Sequence, residues 1–350
     1  MRIGVQLIGP RLSELGTLAR YAEEAGLDIA GLPGGGDYPR LTRLIHATER
    51  IRVATAIVPL FHATPYLHAL SAMELQSLSG GRLVLGVGSQ TKGQVRTQAG
   101  FDPPSPARMS RDMMRAIRAL MSGERRYDGE FYRVDIPAIR FRSGGVDLRP
   151  PPIYFSGVNP LNLRIAGEVA DGLIAHPIFT VAYYRDTVWP RIEEGLARSG
   201  RARDGFEMCA MPMYWLVDET TSRAEAYSRG KRNLAMYFST RAYSGFMQQH
   251  GWEAEREAIR AVWAEAMERG TPIDPLAMER IVSQEMVDEV CLVGTASEIR
   301  EKAAERYDGI ADTLLFYSFH DPYVHDEEEP GRAERNLYRL IDAYRGRPAG

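Results

Sequence analysis

The sequence predicts a (β/α)₈ TIM barrel of the α/β class, and three observations support this fold. Short apolar runs alternate with amphipathic helical segments, eight such pairs can be counted, and the first connections are short. Alternation of this kind produces parallel strands with crossover helices outside the sheet. The length of 350 residues suits one barrel that carries insertions. We therefore expect one domain over residues 1–350, with insertions near residues 123–151 and 218–290.

The elements of the first half follow from the period of the apolar residues. In the first helical segment Leu15, Leu18 and Ala22 recur on one face, and Gly26 then ends the helix. Short apolar runs on either side of such segments predict buried strands. The predicted strands are 2–8, 28–32, 51–58 and 82–87, and the predicted helices are 12–25, 40–47, 68–78 and 109–121.

The second half continues the pattern with longer connections. Its predicted strands are 153–156, 172–175, 206–217 and 311–317, and its predicted helices are 161–170, 183–199, 296–306 and 333–345, with a long and largely helical stretch over 224–290. An open doubly wound sheet is the competing fold. That fold would place a G-x-G-x-x-G turn after the first strand, and the segment from Gly4 to Gly9 does not provide one.

Composition and charge narrow the class of protein. Hydrophobic residues make up 44% and charged residues 25%, which is typical of a globular core. The formal net charge of −3 gives no reason to expect a nucleic-acid partner. Cys209 and Cys291 form neither a C-x-x-C pair nor a metal-site spacing. With no signal-like amino terminus and no apolar run of membrane-spanning length, we expect a cytoplasmic protein without a membrane partner or a metal site.

The loop after the fifth predicted strand is a candidate anion site. Ser156, Gly157, Val158 and Asn159 are followed, after Pro160, by a helix that begins near Leu161. Small residues at this place expose backbone N–H groups at a helix amino terminus, which suits a phosphate. The alternative is an ordinary capped turn, in which Asn159 caps the helix and Pro160 takes its first position.

The loop after the fourth predicted strand carries polar donors and a cation. Ser89, Gln90 and Lys92 stand there, and Lys92 is one of only three lysines in the chain. Because active sites of such barrels lie at the carboxyl ends of the strands, these side chains could bind a cofactor tail or an acidic substrate. The alternative is a solvated loop.

Three further side chains are candidates for acid–base chemistry at the same end of the barrel. His62 follows the third predicted strand and His176 follows the sixth, where either could act as a general acid or base. Each has the alternative of a structural loop histidine. Asp37 follows a run of three glycines after the second strand, and that run lacks the G-K-[ST] ending of a phosphate loop.

Three long segments of the chain, taken together, resemble the bacterial luciferase-like superfamily. They are residues 55–95, 151–180 and 290–317, and within them LSGGRLVLGVG and AGEVADG are quite specific to the superfamily. The GSQTK and AHPI segments are similar to the branch of actinobacterial oxidoreductases that use coenzyme F420. The resemblance runs from residue 1 to about residue 320.

This resemblance implies roles for several residues around the cofactor. At the end of the third strand it implies a non-prolyl cis peptide, here Ala56–Ile57 after Thr55, that supports the flavin or deazaflavin ring. It places the loop 89–90 in the cofactor pocket and gives the loop 156–159 the cofactor phosphate, bound through backbone N–H groups. It places His176 close to the phosphate or the substrate.

The chain departs from the family pattern at the end of the second strand. Relatives commonly carry an acid and a histidine there, in an E-x-x-H-D run, whereas this chain has Leu32-Pro33-Gly34-Gly35-Gly36-Asp37-Tyr38. Only Asp37 is kept. The proton-handling group is therefore missing, supplied by His62 or Tyr38, or not needed by the substrate.

The resemblance implies an oxidoreductase that transfers a hydride between C5 of coenzyme F420 and a small organic substrate, in a homodimer. The nearest alternative is an FMN-dependent monooxygenase that uses reduced flavin and oxygen and is served by a partner flavin reductase. A second alternative is a cofactor-binding protein that has lost catalysis, which the glycines after the second strand would favour.

Overall fold

The computed structural model confirms a closed barrel of eight parallel strands. It describes residues 1–9, 11–33, 38–136, 149–318 and 331–346. The barrel strands are β1 (Arg2–Gln6), β2 (Ile29–Leu32), β3 (Arg52–Pro59), β4 (Leu83–Gly88), β7 (Ile153–Ser156), β8 (Gly172–Ile174), β9 (Glu207–Ala210) and β12 (Thr313–Phe316). Around the barrel these strands follow the order β1-β12-β9-β8-β7-β4-β3-β2.

Buried side chains account for the closure of the barrel. The strands are almost wholly buried, since their inner faces fill the barrel and their outer faces pack beneath helices. Closing β1 onto β12 puts Ile3 beside Leu314 and Val5 beside Phe316. The strands β3 and β4 pair regularly up to Thr55 and again from Val58, and the pairing register shifts between these two residues. The wall is therefore irregular at the carboxyl end of β3.

Helices surround the barrel strands, and five further helices follow one another between residues 223 and 290. Many begin at a residue whose side chain accepts a backbone N–H, as Thr64 does for α3 and Thr295 for α14. The helices are α1 (Leu15–Glu24), α2 (Tyr38–Ala47), α3 (Pro65–Leu78), α4 (Lys92–Gln98), α5 (Pro106–Met121), α6 (Pro160–Val169), α7 (Val181–Tyr183), α8 (Trp189–Arg198), α9 (Arg223–Phe238), α10 (Ser244–Gln249), α11 (Glu253–Arg269), α12 (Pro275–Ile281), α13 (Gln284–Val290), α14 (Ala296–Tyr307) and α15 (Arg332–Asp342).

Two small sheets lie outside the barrel. The first insertion contains a hairpin of β5 (Arg126–Asp128) and β6 (Arg133–Asp135). The second sheet pairs β10 (Met213–Leu216) with β11 (Cys291–Gly294) and so brackets the helical stretch from α9 to α13. In the described ranges, no helix has the length and apolar character needed to cross a membrane.

The prediction of one continuous strand over 206–217 was wrong. The chain leaves the barrel after Ala210, passes through Met211 and Pro212, and resumes as β10 in the small sheet. Pro212 has no N–H to donate to a strand ladder, so it favours a break at this position. The break places Met211 at the carboxyl end of the barrel.

Candidate active site

A cavity of about 390 Å³ opens at the carboxyl ends of the barrel strands. This is the end at which the sequence predicted the site. The cavity is lined by residues that follow most of the barrel strands, together with residues from α9 and the turn after it. They are Pro33, Ala56, Ile57, Gly88, Ser89, Gln90, Thr91, Gln94, Ser156, Gly157, Val158, Asn159, Asn162, Ile174, Ala175, His176, Pro177, Met211, Tyr237, Ala242, Tyr243 and Tyr317.

The β3 wall of the cavity contains a cis peptide bond between Ala56 and Ile57, at the position that the family resemblance implied. Gln6, the last residue of β1, is buried and donates its Nε2 hydrogen to the carbonyl oxygen of Ala56 over 3.2 Å. Thr55 lies behind this wall rather than in it. Its hydroxyl donates to the carbonyl oxygen of Gly86 over 2.7 Å, so the side chain ties β3 to β4.

The loop after β4 brings Ser89 and Gln90 into the cavity. The Ser89 side chain is buried, and Gln90 has a φ of 59°, in the left-handed region. Thr91 then caps α4 through a reciprocal capping box with Gln94. Lys92 is the first residue of α4 and is exposed, so it stands next to the lining without belonging to it.

The loop after β7 presents a cradle of backbone N–H groups. Within the described part of the chain, the N–H groups of Gly157, Val158 and Asn159 have no hydrogen-bond acceptor. The Asn159 side chain makes no capping bond, and Pro160 occupies the first turn of α6. A Cβ atom on Gly157 would lie 2.5 Å from Cβ of Asn162, so the backbone approaches this closely only because position 157 is glycine.

Hydrogen bonds from the start of the next helix, α7, hold the cradle in place. Tyr183 is buried and donates its hydroxyl hydrogen to the carbonyl oxygen of Val158 over 3.0 Å. The hydroxyl of Thr180 accepts the backbone N–H of Tyr183 and so begins the helix that holds this tyrosine. Open N–H groups before a helix of this kind form a binding place for a phosphate or another oxyanion.

His176, after β8, forms a hydrogen-bonded pair with Tyr243. The N–H of Ile178 donates to Nδ1 of His176 over 3.4 Å, which leaves the proton of the neutral ring on Nε2. Nε2 of His176 lies 2.9 Å from Oη of Tyr243 and donates its hydrogen to this oxygen. Burial lowers the pKa of His176 to about 3 and raises the pKa of Tyr243 to about 12. Both side chains are therefore neutral near pH 7.

Two further tyrosines stand beside this pair. The hydroxyl oxygens of Tyr237 and Tyr317 are 2.5 Å apart, and burial raises the pKa of both. The ring of Tyr237 also contacts His176 edge-on, with ring centroids 5.3 Å apart. The cavity thus holds one contiguous group of three hydroxyls and one imidazole, drawn from the ends of β8 and β12 and from the stretch after β10.

Some of the predicted site residues do not reach the cavity. His62 lies in the 3₁₀ turn Leu60–His62, away from the lining, and its Nε2 is buried without a hydrogen-bond partner among the described residues. The hydroxyl of Tyr38 donates to Nδ1 of buried His68 over 2.6 Å, because Nε2 of that ring donates to a carbonyl. Asp37 lies outside the described residues. The roles of His62 and Asp37 stay predictions.

Sequence reasoning missed Gln6 and Tyr317 as parts of the site, whereas the Met and aromatic content of the segments 208–215 and 237–252 hints at an apolar pocket. Gln6 had a signal, since it is a polar residue near the end of an otherwise apolar strand. Tyr317 also follows a predicted strand, but Tyr237 belongs to a helix whose place over the barrel no local pattern reveals. Met211 and Tyr243 stand in Met- and aromatic-rich segments that also supply ordinary core residues.

Comparisons with known proteins agree with this fold. A family model described as luciferase-like monooxygenase matches residues 2–313. The F420-dependent glucose-6-phosphate dehydrogenase of Nakamurella multipartita is 30% identical, over 67% of this chain and 72% of that protein. The 5,10-methylenetetrahydromethanopterin reductase of Archaeoglobus fulgidus is 26% identical, over 87% of this chain and 90% of that protein.

A solved structure shares the whole architecture. It is the coenzyme F420-dependent tetrahydromethanopterin reductase from Methanopyrus kandleri, with a TM-score of 0.76 over 97% of both chains. At 19% sequence identity, this likeness concerns the fold.

Proposed function

This chain belongs to the luciferase-like monooxygenase family and is an oxidoreductase, and we propose that it uses coenzyme F420 to transfer a hydride to or from a small organic substrate. The observation that carries the proposal is the cradle of open N–H groups at Gly157, Val158 and Asn159. It shares one cavity with the irregular β3 wall at Ala56–Ile57. A phosphate-bearing cofactor with a flat ring fits this combination.

The residues present fit the two ends of such a cofactor. The N–H groups of Gly157, Val158 and Asn159 would hold the phosphate, since a helix amino terminus favours an anion without any cationic side chain. The wall at Ala56–Ile57 would support the deazaflavin ring. When bound, coenzyme F420 supplies the hydride donor or acceptor at C5 of that ring, while the protein supplies position and electrostatics.

The protein's own residues order the β3 wall and give the inner part of the cavity an apolar surface. Gln6 holds the carbonyl of Ala56 in place from the barrel interior. Ile174, Ala175 and Met211 give the inner wall an apolar surface. Once the cofactor ring fills the cavity, this apolar wall would leave little room for water, and exclusion of water strengthens each hydrogen bond made inside the cavity.

An FMN-dependent monooxygenase is the alternative within the same family. FMN also has a flat ring and a phosphate, so the same wall and the same cradle would accept it. Two observations favour coenzyme F420. Two relatives named for F420 cover 67% and 82% of this chain. Exposed Lys92 stands at the rim, where it could meet the acidic tail that F420 has and FMN lacks.

The proposal is tested by equilibrium titration with F420 and with FMN, followed by cofactor fluorescence. We expect micromolar or tighter binding of F420 and weak binding of FMN. The variant Gly157→Ala should weaken F420 binding at least tenfold, because its Cβ pushes against Asn162 and displaces the cradle. The matched control is Gly205→Ala, since a Cβ at Gly205 meets nothing within 4 Å.

Each outcome of this titration has a distinct meaning. Preference for FMN would move the assignment to a flavin monooxygenase and call for its reductase. Binding of neither cofactor would contradict the proposal. Binding of F420 without turnover of any substrate would favour the degenerate binding protein. The expected homodimer stays a prediction.

A further inference from the structure

The carbonyl group of Val158 fixes the direction of one N–H group of the cradle. The peptide bond between Val158 and Asn159 is trans, and in a trans peptide the C=O and N–H bonds point in opposite directions within one plane. Tyr183 donates its hydroxyl hydrogen to this carbonyl over 3.0 Å. The bond therefore holds the N–H of Asn159 pointing away from Tyr183, and it strengthens that N–H as a donor.

The position of Tyr183 depends on Thr180, the residue before α7. The side chain of Thr180 is buried, and its Oγ1 accepts the N–H of Tyr183 over 3.0 Å. A hydroxyl oxygen that accepts one hydrogen bond can still donate its own hydrogen. The partner for that hydrogen is Nε2 of His250, which lies 2.8 Å from Oγ1 of Thr180.

The ring of His250 is held in the tautomer that accepts this hydrogen. Nδ1 of His250 lies 2.8 Å from the carbonyl oxygen of Phe246. A carbonyl oxygen can only accept, so Nδ1 carries the hydrogen of the neutral ring and Nε2 is left as an acceptor. The ring also packs against Phe246 and Trp252, with ring centroids 4.3 Å and 4.5 Å away. Nε2 of His250 is therefore an acceptor in a fixed place.

The connection from β8 to α7 contacts both ends of α10. His176, near the start of this connection, bonds Tyr243, the residue before α10. Thr180, at its end, bonds His250, the residue after α10. The helical stretch from α9 to α13 is therefore docked on the same short connection that supports the cradle.

We propose that His250 is a positioning residue for cofactor binding, which acts through Thr180 and Tyr183 to hold the cradle in the form that binds a phosphate. This inference rests on the proposed function. His250 does not line the cavity, so its effect passes through the arrangement of the cradle. A cradle that is already arranged binds more tightly, because less conformational freedom is lost on binding. The helical stretch from α9 to α13 thus has a part in holding the phosphate.

The test compares the Kd for F420 of matched variants by equilibrium fluorescence titration. His250→Phe keeps an aromatic ring and removes the acceptor, and Thr180→Val removes the hydroxyl. Each should weaken F420 binding about tenfold, a loss that removal of one buried hydrogen bond commonly causes. His250→Gln should stay within about twofold of wild type, because a glutamine side-chain oxygen can take the place of Nε2 as the acceptor.

The matched control is Thr187→Val, made in the helical segment that follows α7. The hydroxyl of Thr187 donates to Oε1 of Gln249 over 2.6 Å. It joins this segment to the same end of α10 without leading to the cradle, so its loss should leave the Kd for F420 unchanged. If His250→Phe does not fold, Thr180→Val and its conservative partner Thr180→Ser decide the inference.

A ligand without a phosphate separates this role from a general structural effect. The deazaflavin that lacks the phosphate and the acidic tail of F420 keeps the ring. Its Kd should change less than about twofold in His250→Phe, because it makes no contact with the cradle. The double variant of Tyr183→Phe with His250→Phe should bind F420 no more weakly than the weaker single variant, since both changes interrupt one chain of hydrogen bonds.

Three results would overturn the inference: wild-type affinity for F420 in both His250→Phe and Thr180→Val, an equal loss for the ligand without a phosphate, or additive losses in the double variant. If the wild type binds FMN and not F420, the proposed function fails separately. FMN and riboflavin, which differ by the phosphate alone, then replace the two ligands in the same test. Failure of both F420 and FMN to bind the wild type would overturn the proposed function and the inference together.

Discussion

His176 is a histidine that the fold keeps uncharged, and this has a consequence for stability. Burial lowers its pKa to about 3, whereas an unfolded histidine titrates near pH 6.5. Between these two values the unfolded chain binds more protons at this residue than the folded chain does. The free energy of unfolding therefore falls as the pH is lowered through this window and is unaffected by this residue above it.

We expect the variant His176→Gln to be less sensitive to this change in pH. From pH 7 to pH 5 the wild-type protein should lose about 2 kcal/mol more of its free energy of unfolding than the variant does. Urea denaturation at the two pH values measures both losses, and carboxylates titrate alike in the two proteins, so the difference isolates residue 176. Equal losses would show that His176 is readily protonated in the folded state.

How far single residues could be predicted depends on whether their signal is local. Gly157 and Asn159 were readable because a turn that precedes a helix has its own chemistry. The pairing of His176 with Tyr243 was not readable, since 67 residues separate them and no spacing rule joins a loop to a distant helical stretch. The same holds for Tyr237 and Tyr317, which meet only after the chain folds.

At the scale of elements, a partly buried ion cluster joins the amino ends of several barrel strands. The carboxylate of Glu207, at the start of β9, lies 2.9 Å from Arg52 of β3 and 2.7 Å from Arg2 of β1. The hydroxyl of Thr313, at the start of β12, donates to it over 2.6 Å. Burial alone would raise the pKa of Glu207, but the hydrogen bonds and charge of Arg52 lower it to about 2.

Removing this carboxylate should destabilise the barrel without changing the cavity. We expect Glu207→Gln to lower the free energy of unfolding by about 2 kcal/mol at pH 7, because it leaves two partly buried arginines without their carboxylate partner. The effect should vanish as the pH falls from about 4.5 toward 2, where Glu207 itself becomes protonated in the folded wild type.

A surface ion pair provides the control for this prediction. The pair of Asp128 and Arg133 in the hairpin is 78% and 83% exposed, so Asp128→Asn should change the free energy of unfolding by less than about 0.5 kcal/mol. Chemical denaturation of the three proteins gives the comparison. If Glu207→Gln and Asp128→Asn have equal effects, the cluster does not stabilise the barrel.

Elements with a strong apolar period were predicted within a few residues, and the failures have local causes. The barrel strands β1 to β4 and helices α1 to α3 lie where the sequence predicted them. Helix α4 was missed because, among its residues Lys92–Gln98, only Val95 is buried, which leaves too little apolar pattern to detect. The strand over 206–217 was predicted too long because its second part is equally apolar, although it belongs to another sheet.

Across the whole molecule, the ion cluster and the candidate active site lie at opposite ends of the barrel. Arg2, Arg52 and Glu207 form a charged cluster at the amino ends of the strands, while the cavity at the carboxyl ends has no charged side chain among its described lining residues. The alternation of strands and helices predicted the fold, and with it which end would carry the site. Tyr237 and Tyr243 reach the cavity from α9 and the turn after it, and the position of these elements over the barrel is a property of the folded chain.

This difference between the two ends of the barrel predicts where a bound cofactor will slow backbone hydrogen exchange. Saturation with F420 should slow exchange most at Gly157, Val158 and Asn159, whose N–H groups have no acceptor among the described residues, and next at Ser89 and Gln90. Amides near the ion cluster at the opposite end should exchange as in the free protein. Mass spectrometry of peptic peptides, with and without F420, measures both regions in one experiment, and Gly157→Ala at the same free F420 concentration is the control. Because the prediction concerns only these amides, protection at the amino ends with none at residues 156–159 would place the cofactor elsewhere and overturn the assignment of the cavity.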